Sequence, residues 1–456
     1  MRLIVIISRV IVGSLFIVSG LIKSNDALGF MYKLEEYFEP GALNLEWLMP
    51  YALPLAVFIV IGEILLGVAL LVGALPKLSS ILTLVIMLFF TWLTNYTDNC
   101  DPFGTTIIVN EQGLQEEIPN QCVLECGCFG NAIPLTPHES FLKDVFLLIF
   151  VIPVVIGAFR GLIKLNTPKE AIYIYTISIF ITAMFAMLML DWMFPPLFTA
   201  FCLIVAAVIQ RRVKSNAQEW LMALGVLVIC SVFQYATLAH LPFKDYRPYA
   251  VGESIRENMM SAEELGKEPP EYAVEYTFKN KQTGVDTTVL SSDWLKIYNS
   301  DWFKNTYEEV SYDGAEVMVK EGYEPPIKDF ELMSYDGSDY TAAVVENEGY
   351  TFLHISNTLS KTAMSAQQAL NRLATEARVN GVDFYGVTNA TLEEAEEYKR
   401  KTEADYKFLN CDQTELKIVV RSNPGLVLIK DGVVVEKWAW RDVPAWKDVQ
   451  STLMNH

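Results

Sequence analysis

Basic residues are scarce in this chain of 456: 35 Lys and Arg stand against 54 Asp and Glu, with four His, for a net charge of −19. A phosphate backbone is held by clustered Lys and Arg, so this balance excludes nucleic acid as a partner. It also argues against an anionic membrane surface as the docking site for any soluble part. There is no glycine-rich loop to cradle phosphate, no dinucleotide fingerprint and no Ser/His/Asp arrangement, so nucleotide-driven transport and hydrolysis have no support in the residues. His138 and His240 lack metal-ligand spacing and read as satisfied surface side chains.

What is abundant is apolar sequence. Hydrophobic residues make up 52% of the chain despite its charge. The conflict resolves by region: long apolar runs extend to about Ala250, and an acidic soluble part follows. Seven segments, near 3–22, 52–75, 78–96, 141–159, 171–190, 196–210 and 219–239, approach the ~20 residues that cross a bilayer as helix. Helices are expected because every backbone amide in lipid must be satisfied within its own segment. Lys23 and Asp26 follow the first run in place of a small-residue cleavage site, so it reads as an uncleaved span.

Lys and Arg of the short loops set the orientation. One side carries Lys77, then Arg160, Lys164 and Lys169, then Arg211, Arg212 and Lys214, while between Thr97 and Leu142 there is neither Lys nor Arg. The asymmetry predicts the orientation of a multi-pass membrane protein, expected in the bacterial inner membrane. Its N-terminus is cytoplasmic, and both the 97–140 loop and the C-terminal region are periplasmic. The first outer loop, with Tyr37, Phe38 and Trp47, reads as a connection or as an amphipathic segment on the membrane surface.

The 97–140 loop holds Cys100, Cys122, Cys126 and Cys128. A Cys-x-Cys disulfide closes a small, strained ring, and strained bonds are more readily reduced. Cys126 and Cys128 are therefore the candidate exchanging pair, with Cys100 and Cys122 as a second pair that relays electrons or staples the loop. Three pairings are open to four cysteines. Two purely structural disulfides and a four-thiolate zinc site are the competing readings. Glu63 falls near the middle of the second span, where an ionisable residue is by default a functional candidate. Arg9, on the inner third of the first span, reads either as its partner, in a structural ion pair or beside a proton or quinone site, or as a side chain that snorkels inward. Lys23 reads as an interfacial anchor. Cys202 and Cys230 lie inside spans as small apolar residues, and Cys411 reads as a lone buried thiol.

Beyond the last span, 241–345 reads as a β-rich linker region with hairpins around Asn280-Lys-Gln-Thr-Gly284 and Tyr335-Asp336-Gly337. Residues 346–456 read as β-α-β-α-α-β-β-α, with strands Tyr350–Ser356, Val382–Val387, Gly425–Lys430 and Val433–Trp438. This order, with Ser422-Asn423-Pro424 just before a strand, resembles the thioredoxin fold. The resemblance implies a cis Pro424 beside a client-binding surface, with Asn423 and Pro424 holding a client by main-chain contacts. The Cys-x-x-Cys of that family is missing: Ser356-Asn-Thr-Leu-Ser-Lys-Thr-Ala-Met-Ser365 has no cysteine.

The membrane part resembles the DoxX and methylamine-utilisation MauE family over about 1–160. The carriers are Phe16-Ile-Val-Ser-Gly-Leu-Ile-Lys23-Ser-Asn-Asp26, Gly62-Glu63-Ile-Leu-Leu-Gly67 and Cys126-Gly-Cys-Phe-Gly130, followed by Leu135-Thr-Pro and Lys143-Asp144. The resemblance implies a four-span core over 1–160, with 161–240 adding three spans. MauE-type members are linked to maturation of a disulfide-rich periplasmic subunit, and DoxX-type members to quinone-coupled sulfur oxidation. The function expected is a redox-related membrane module. Cys126 and Cys128 exchange with a periplasmic client or redox partner, and a quinone-type carrier takes the electrons in the lipid phase. The alternative is a non-enzymatic scaffold with structural loop disulfides.

Overall fold

The computed structural model describes residues 1–101, 104–109, 114–123, 127, 129–297, 300–309 and 315–454. Seven helices long and apolar enough to cross a membrane form a bundle: α1 (Arg2–Asn25), α3 (Ala52–Val72), α4 (Pro76–Asp98), α5 (Pro137–Phe159), α6 (Pro168–Phe185), α7 (Phe194–Arg212) and α8 (Gln218–Ala239). A non-spanning helix, α2 (Ala27–Phe38), follows α1 directly. The loop between the first two spans thus contains an amphipathic helix, burying Phe30, Leu34, Tyr37 and Phe38. Local sequence starts two spans in the same way. Thr136-Pro-His-Glu139 and Thr167-Pro-Lys-Glu170 each form a capping box with proline at the first helical position, satisfying amides the helix cannot.

Glycine sets the packing of α1 on α3. A Cβ at Gly20 would lie 2.8 Å from the Val60 carbonyl oxygen, and one at Gly67 would lie 2.7 Å from that of Gly13. The two backbones approach closely only because these side chains are absent, as small residues allow in helix pairs within lipid. Lys23 and Glu63 sit one helical turn from these contacts, so the same close approach brings them together.

Between α4 and α5, strands β1 (Thr105–Val109) and β2 (Gln115–Pro119) form an antiparallel pair within the cysteine loop. After α8 come α9 (Ile255–Met259) and an antiparallel sheet in which β3 (Glu271–Asn280) pairs with β4 (Asp286–Leu290), β5 (Tyr307–Glu309) and β6 (Ala315–Lys320), with α10 (Ser291–Ile297) and α11 (Asp301–Thr306) between strands. The hairpin expected at Asn280–Gly284 is present as β3–β4. At Tyr335–Gly337 there is a tight turn closed by one bridge, Met333 to Asp339, and no strands.

After α12 (Thr341–Val345) the chain builds a five-stranded sheet. Its strands are β7 (Tyr350–Ser356), β8 (Asp383–Thr388), β9 (Lys407–Asn410), β10 (Gly425–Lys430) and β11 (Val433–Ala439), ordered β11-β10-β7-β8-β9. β7, β8 and β9 are parallel, and β10 and β11 run antiparallel. β9 was not expected: four residues carry too short a pattern to show alternation.

Period-2 alternation divides the side chains between two cores. Phe352, Leu426 and Leu428 face α13 (Gln367–Val379), α14 (Leu392–Thr402) and α16 (Trp446–Val449). Leu353, Val427 and Ile429 face α15 (Gln413–Val419) together with Tyr249, Ile327 and Phe330. Residues from the 241–345 stretch therefore complete one face of this sheet. The Asn423–Pro424 peptide at the start of β10 is cis.

Candidate functional site

The cysteine loop is held at both ends. Cys100 and Cys122 form a disulfide with Cα atoms 5.7 Å apart. This pairing withdraws two of the four thiolates a zinc site would need. Cys126 and Cys128 lie outside the described residues. The chain on either side of them is fixed: Val123 is buried against Phe30, Tyr37 and Leu93, and Phe129 packs on Phe185 with ring centroids 5.6 Å apart. Gly127 has a φ of +68° and faces α2, where a Cβ would meet Lys33 Cγ at 3.2 Å.

Below this loop lies a buried ion pair. Lys23 Nζ donates to Glu63 Oε1 at 2.5 Å, and each side chain is 3% exposed. The ammonium also stands over two rings, 4.8 Å from the centroid of Phe90 and 5.4 Å from that of Phe30. Glu63 Oε2 is buried and has no hydrogen-bond partner among the described residues. The expected pairing of Arg9 with Glu63 is not what the structure shows. Arg9 Nε donates to the Leu70 carbonyl at 2.9 Å, and its Nη2 reaches the Leu71 carbonyl and Asn166 Oδ1. A cation there satisfies acceptors left open in the last turn of α3 and complements its dipole. Lys23, expected as an interfacial anchor, is the true partner.

A cavity of about 210 Å³ opens beside the pair and includes Phe16, Phe90, Phe129 and a second ion pair, Lys143–Asp144 at 2.9 Å. Asp144 Oδ2 also accepts from Thr94 Oγ1 at 3.2 Å. A larger, apolar groove of about 590 Å³ runs between α2, α3 and α4, and among the described residues Lys23 is its one charged lining residue.

Residues 1–97 match the family Methylamine utilisation protein MauE. MauE is a family of membrane proteins, and the match spans α1 to α4, about a fifth of the chain. It contains both Lys23 and Glu63 and ends before Cys100, so the cysteine loop, α5 to α8 and the soluble region lie beyond it. No curated protein matches this chain.

The soluble region docks onto the MauE-like helices at the same end as the cysteine loop. Arg421 Nε donates to both carboxylate oxygens of Asp26, at 2.8 and 3.0 Å, and the guanidinium lies 5.4 Å from the Tyr32 ring centroid. Burial works to raise the Asp26 pKa, but Arg421, Arg247 and the Gly29 amide together hold it below the usual carboxylate value. Lys437 Nζ donates to Asp245 at 2.5 Å, and Arg247 Nη1 donates to the Ile418 carbonyl at 2.7 Å. A junction cavity of about 290 Å³ is enclosed by α2, Gly127 and Gly130 of the loop, and Lys417 and Arg421 of the soluble region.

Asn423 and Pro424 sit beside this junction. Pro424 is buried, and the Asn423 carbonyl accepts from the Ala363 amide at 3.0 Å within its own domain. Cys411 is buried too, and burial followed by Glu415 and Asp412 pushes its thiol up to about 12, far from a reactive thiolate.

Sequence reasoning missed Lys23, Asp26 and Arg421 as paired residues. A signal for Lys23 was present. It lies three residues after Gly20 and Glu63 lies four before Gly67, spacings that put each charge on the glycine-bearing face of its helix.

Proposed function

We propose that this chain is an inner-membrane redox accessory protein whose Cys126 and Cys128 exchange electrons with a periplasmic client or redox partner. The observation that carries this reading is the Cys100–Cys122 disulfide, which leaves Cys126 and Cys128 as the remaining cysteines of the loop. Oxidation of the Cys126/Cys128 dithiol to a disulfide releases two electrons and two protons, which reduce one quinone-type carrier to its quinol. The reading places the N-terminus in the cytoplasm and the loop, α2 and the soluble region in the periplasm, in line with the lack of Lys and Arg between Thr97 and Leu142. Disulfides persist in that compartment.

The soluble region, thioredoxin-like in this reading, has no dithiol of its own. With the Asn423 carbonyl engaged by Ala363, client recognition falls to the junction cavity beside Asn423 and Pro424. Thiol trapping in intact cells tests the proposal. Cys126 and Cys128 should be modified after mild reduction while Cys100 and Cys122 stay protected, and Cys128→Ser should accumulate a mixed disulfide through Cys126. Full protection of all four, with no mixed disulfide, overturns it.

A scaffold reading is favoured by one observation: the buried Asp26–Arg421 contact ties the soluble region to the membrane bundle without any redox group. It predicts that Cys126→Ser with Cys128→Ser lowers abundance and changes nothing else.

A further inference from the structure

Lys23 stands between the two membrane cavities and lines both. It lines the apolar groove between α2, α3 and α4 and also the smaller cavity that contains Glu63, and Phe90 lines both. The groove walls include Leu34, Phe38, Leu55, Phe89 and Trp92, and its volume of about 590 Å³ falls within the range of small-molecule sites. A groove of this kind in lipid would accept any apolar chain. The polar end is what selects.

That end has two unmet groups. Lys23 Nζ carries three N–H bonds; one goes to Glu63 Oε1, and the ammonium otherwise faces the rings of Phe30 and Phe90. Glu63 is 2% exposed, and its Oε2 has lone pairs and no donor among the described residues. A buried polar atom without a partner is costly, and more so when charged. The group that completes this pair must offer an acceptor to Lys23 and a donor to Glu63 Oε2.

The net charge of the pair constrains the ligand further. Lys23 and Glu63 cancel each other, so an anionic head would set a second negative charge beside Glu63, and an ammonium head a second positive charge beside Lys23. Either would be desolvated without compensation. A hydroxyl meets every condition: its oxygen accepts from Lys23, its proton goes to Glu63 Oε2, and it is neutral.

We propose that this site binds a neutral, hydroxyl-bearing amphiphile, with its apolar body in the α2–α3–α4 groove and its hydroxyl between Lys23 and Glu63. Lipid-soluble quinols and neutral lipid alcohols such as diacylglycerol share this chemistry. The inference deepens the carrier part of the function proposed above and rests on it only there. A binding measurement reads it without any thiol step, so failure of one does not imply failure of the other.

The test uses the full chain in mild detergent and follows quenching of Trp92 emission, with Trp92→Phe as the blank. The probes are decylhydroquinone, its dimethyl ether, dioctanoylglycerol and dioctanoylphosphatidic acid. Decylhydroquinone or dioctanoylglycerol should bind at least tenfold more tightly than the ether and the phosphatidic acid. Whichever of the two binds more tightly identifies the source. Lys23→Met combined with Glu63→Leu, which removes both charges at once, should abolish that preference while the ether still binds. Equal binding of hydroxyl and ether, a preference for phosphatidic acid, or selectivity that survives the double substitution each overturns the proposal.

Discussion

Arg421, three residues before the cis Pro424, donates through Nε to both oxygens of Asp26, the residue that links α1 to α2. The contact joins residues 395 apart in sequence and ties the soluble region to the corner between α1 and α2. Removing one partner strands the other. Arg421 is 6% exposed and Asp26 21%, so the penalty is below that of a fully enclosed pair, at about 2–4 kcal/mol. Asp26→Ala or Arg421→Ala should loosen the junction, raising the rate of proteolysis in the 240–250 segment. Unchanged cleavage in both variants would show that the contact does not hold the docked state.

The junction has a second, pH-sensitive element. Lys437 is buried, and burial, then Arg247, lower its pKa to about 7 against the pull of Asp245. Its folded value lies below the 10.5 of an ordinary lysine, so between about pH 7 and 10.5 the unfolded chain binds more protons than the folded one. Stability should therefore rise as pH increases through that window, by at most about 1.4 kcal/mol per pH unit for one proton. Lys437→Met should flatten the dependence. Thermal unfolding followed from pH 6.5 to 9 in detergent measures it, and an identical slope in the variant would remove Lys437 as the cause.

Asp26 acts with the same sign in a more acidic window. Its folded pKa is depressed, so its contribution is present above the ordinary carboxylate value and fades as pH falls below it. The docked state should hold at pH 5 and weaken only as the pH is taken below the ordinary carboxylate range, and Asp26→Asn should bring the wild type's low-pH behaviour up to neutral pH. Proteolysis of the same 240–250 segment across this range checks the outcome.

The spans were legible because length and apolar composition decide them, and Gly425–Lys430 was legible to the residue because the tight turn at Asp431-Gly432 punctuates it. The pairings were not. Arg9 and Glu63 are the charges a hydropathy reading notices inside spans, which made them look like partners. Which charges meet depends on helix rotation, and here Gly20 and Gly67 set it, so the pairing is legible only when each charge is read against the glycine face of its own helix. Asp26–Arg421 is further out of reach, since nothing local to either residue announces a partner across nearly the whole chain. β9 escaped for a different reason: its place in the sheet is set by pairing with β8, not by its own four residues.

The Cys100–Cys122 bond closes a stretch with a sequence separation of 22 that includes β1 and β2. Chain-entropy reasoning gives a disulfide of this span about 3 kcal/mol of stabilisation. Cys100→Ser with Cys122→Ser should lower the unfolding midpoint and expose the loop to protease while leaving the seven spans inserted. Should the double variant resist protease like the parent, β1–β2 and the Val123 anchor alone would be sufficient to hold the loop.

Lys23 and Glu63 allow the sharpest distinction between a structural and a ligand-binding role. Each is buried, so replacing one alone leaves an uncompensated charge inside the bundle, at about 3–5 kcal/mol. Replacing both with apolar residues removes two desolvation penalties along with their mutual attraction, and Phe30 and Phe90 already supply an apolar wall. Lys23→Met and Glu63→Leu should therefore each destabilise the detergent-solubilised protein strongly, while the double variant recovers to within about 1–2 kcal/mol of the parent. A coupling energy near zero would mean that the two side chains do not meet in the folded protein. Strong coupling with full recovery means that stability does not require the pair, and its retention in the midst of the bundle then has to be explained by what it binds.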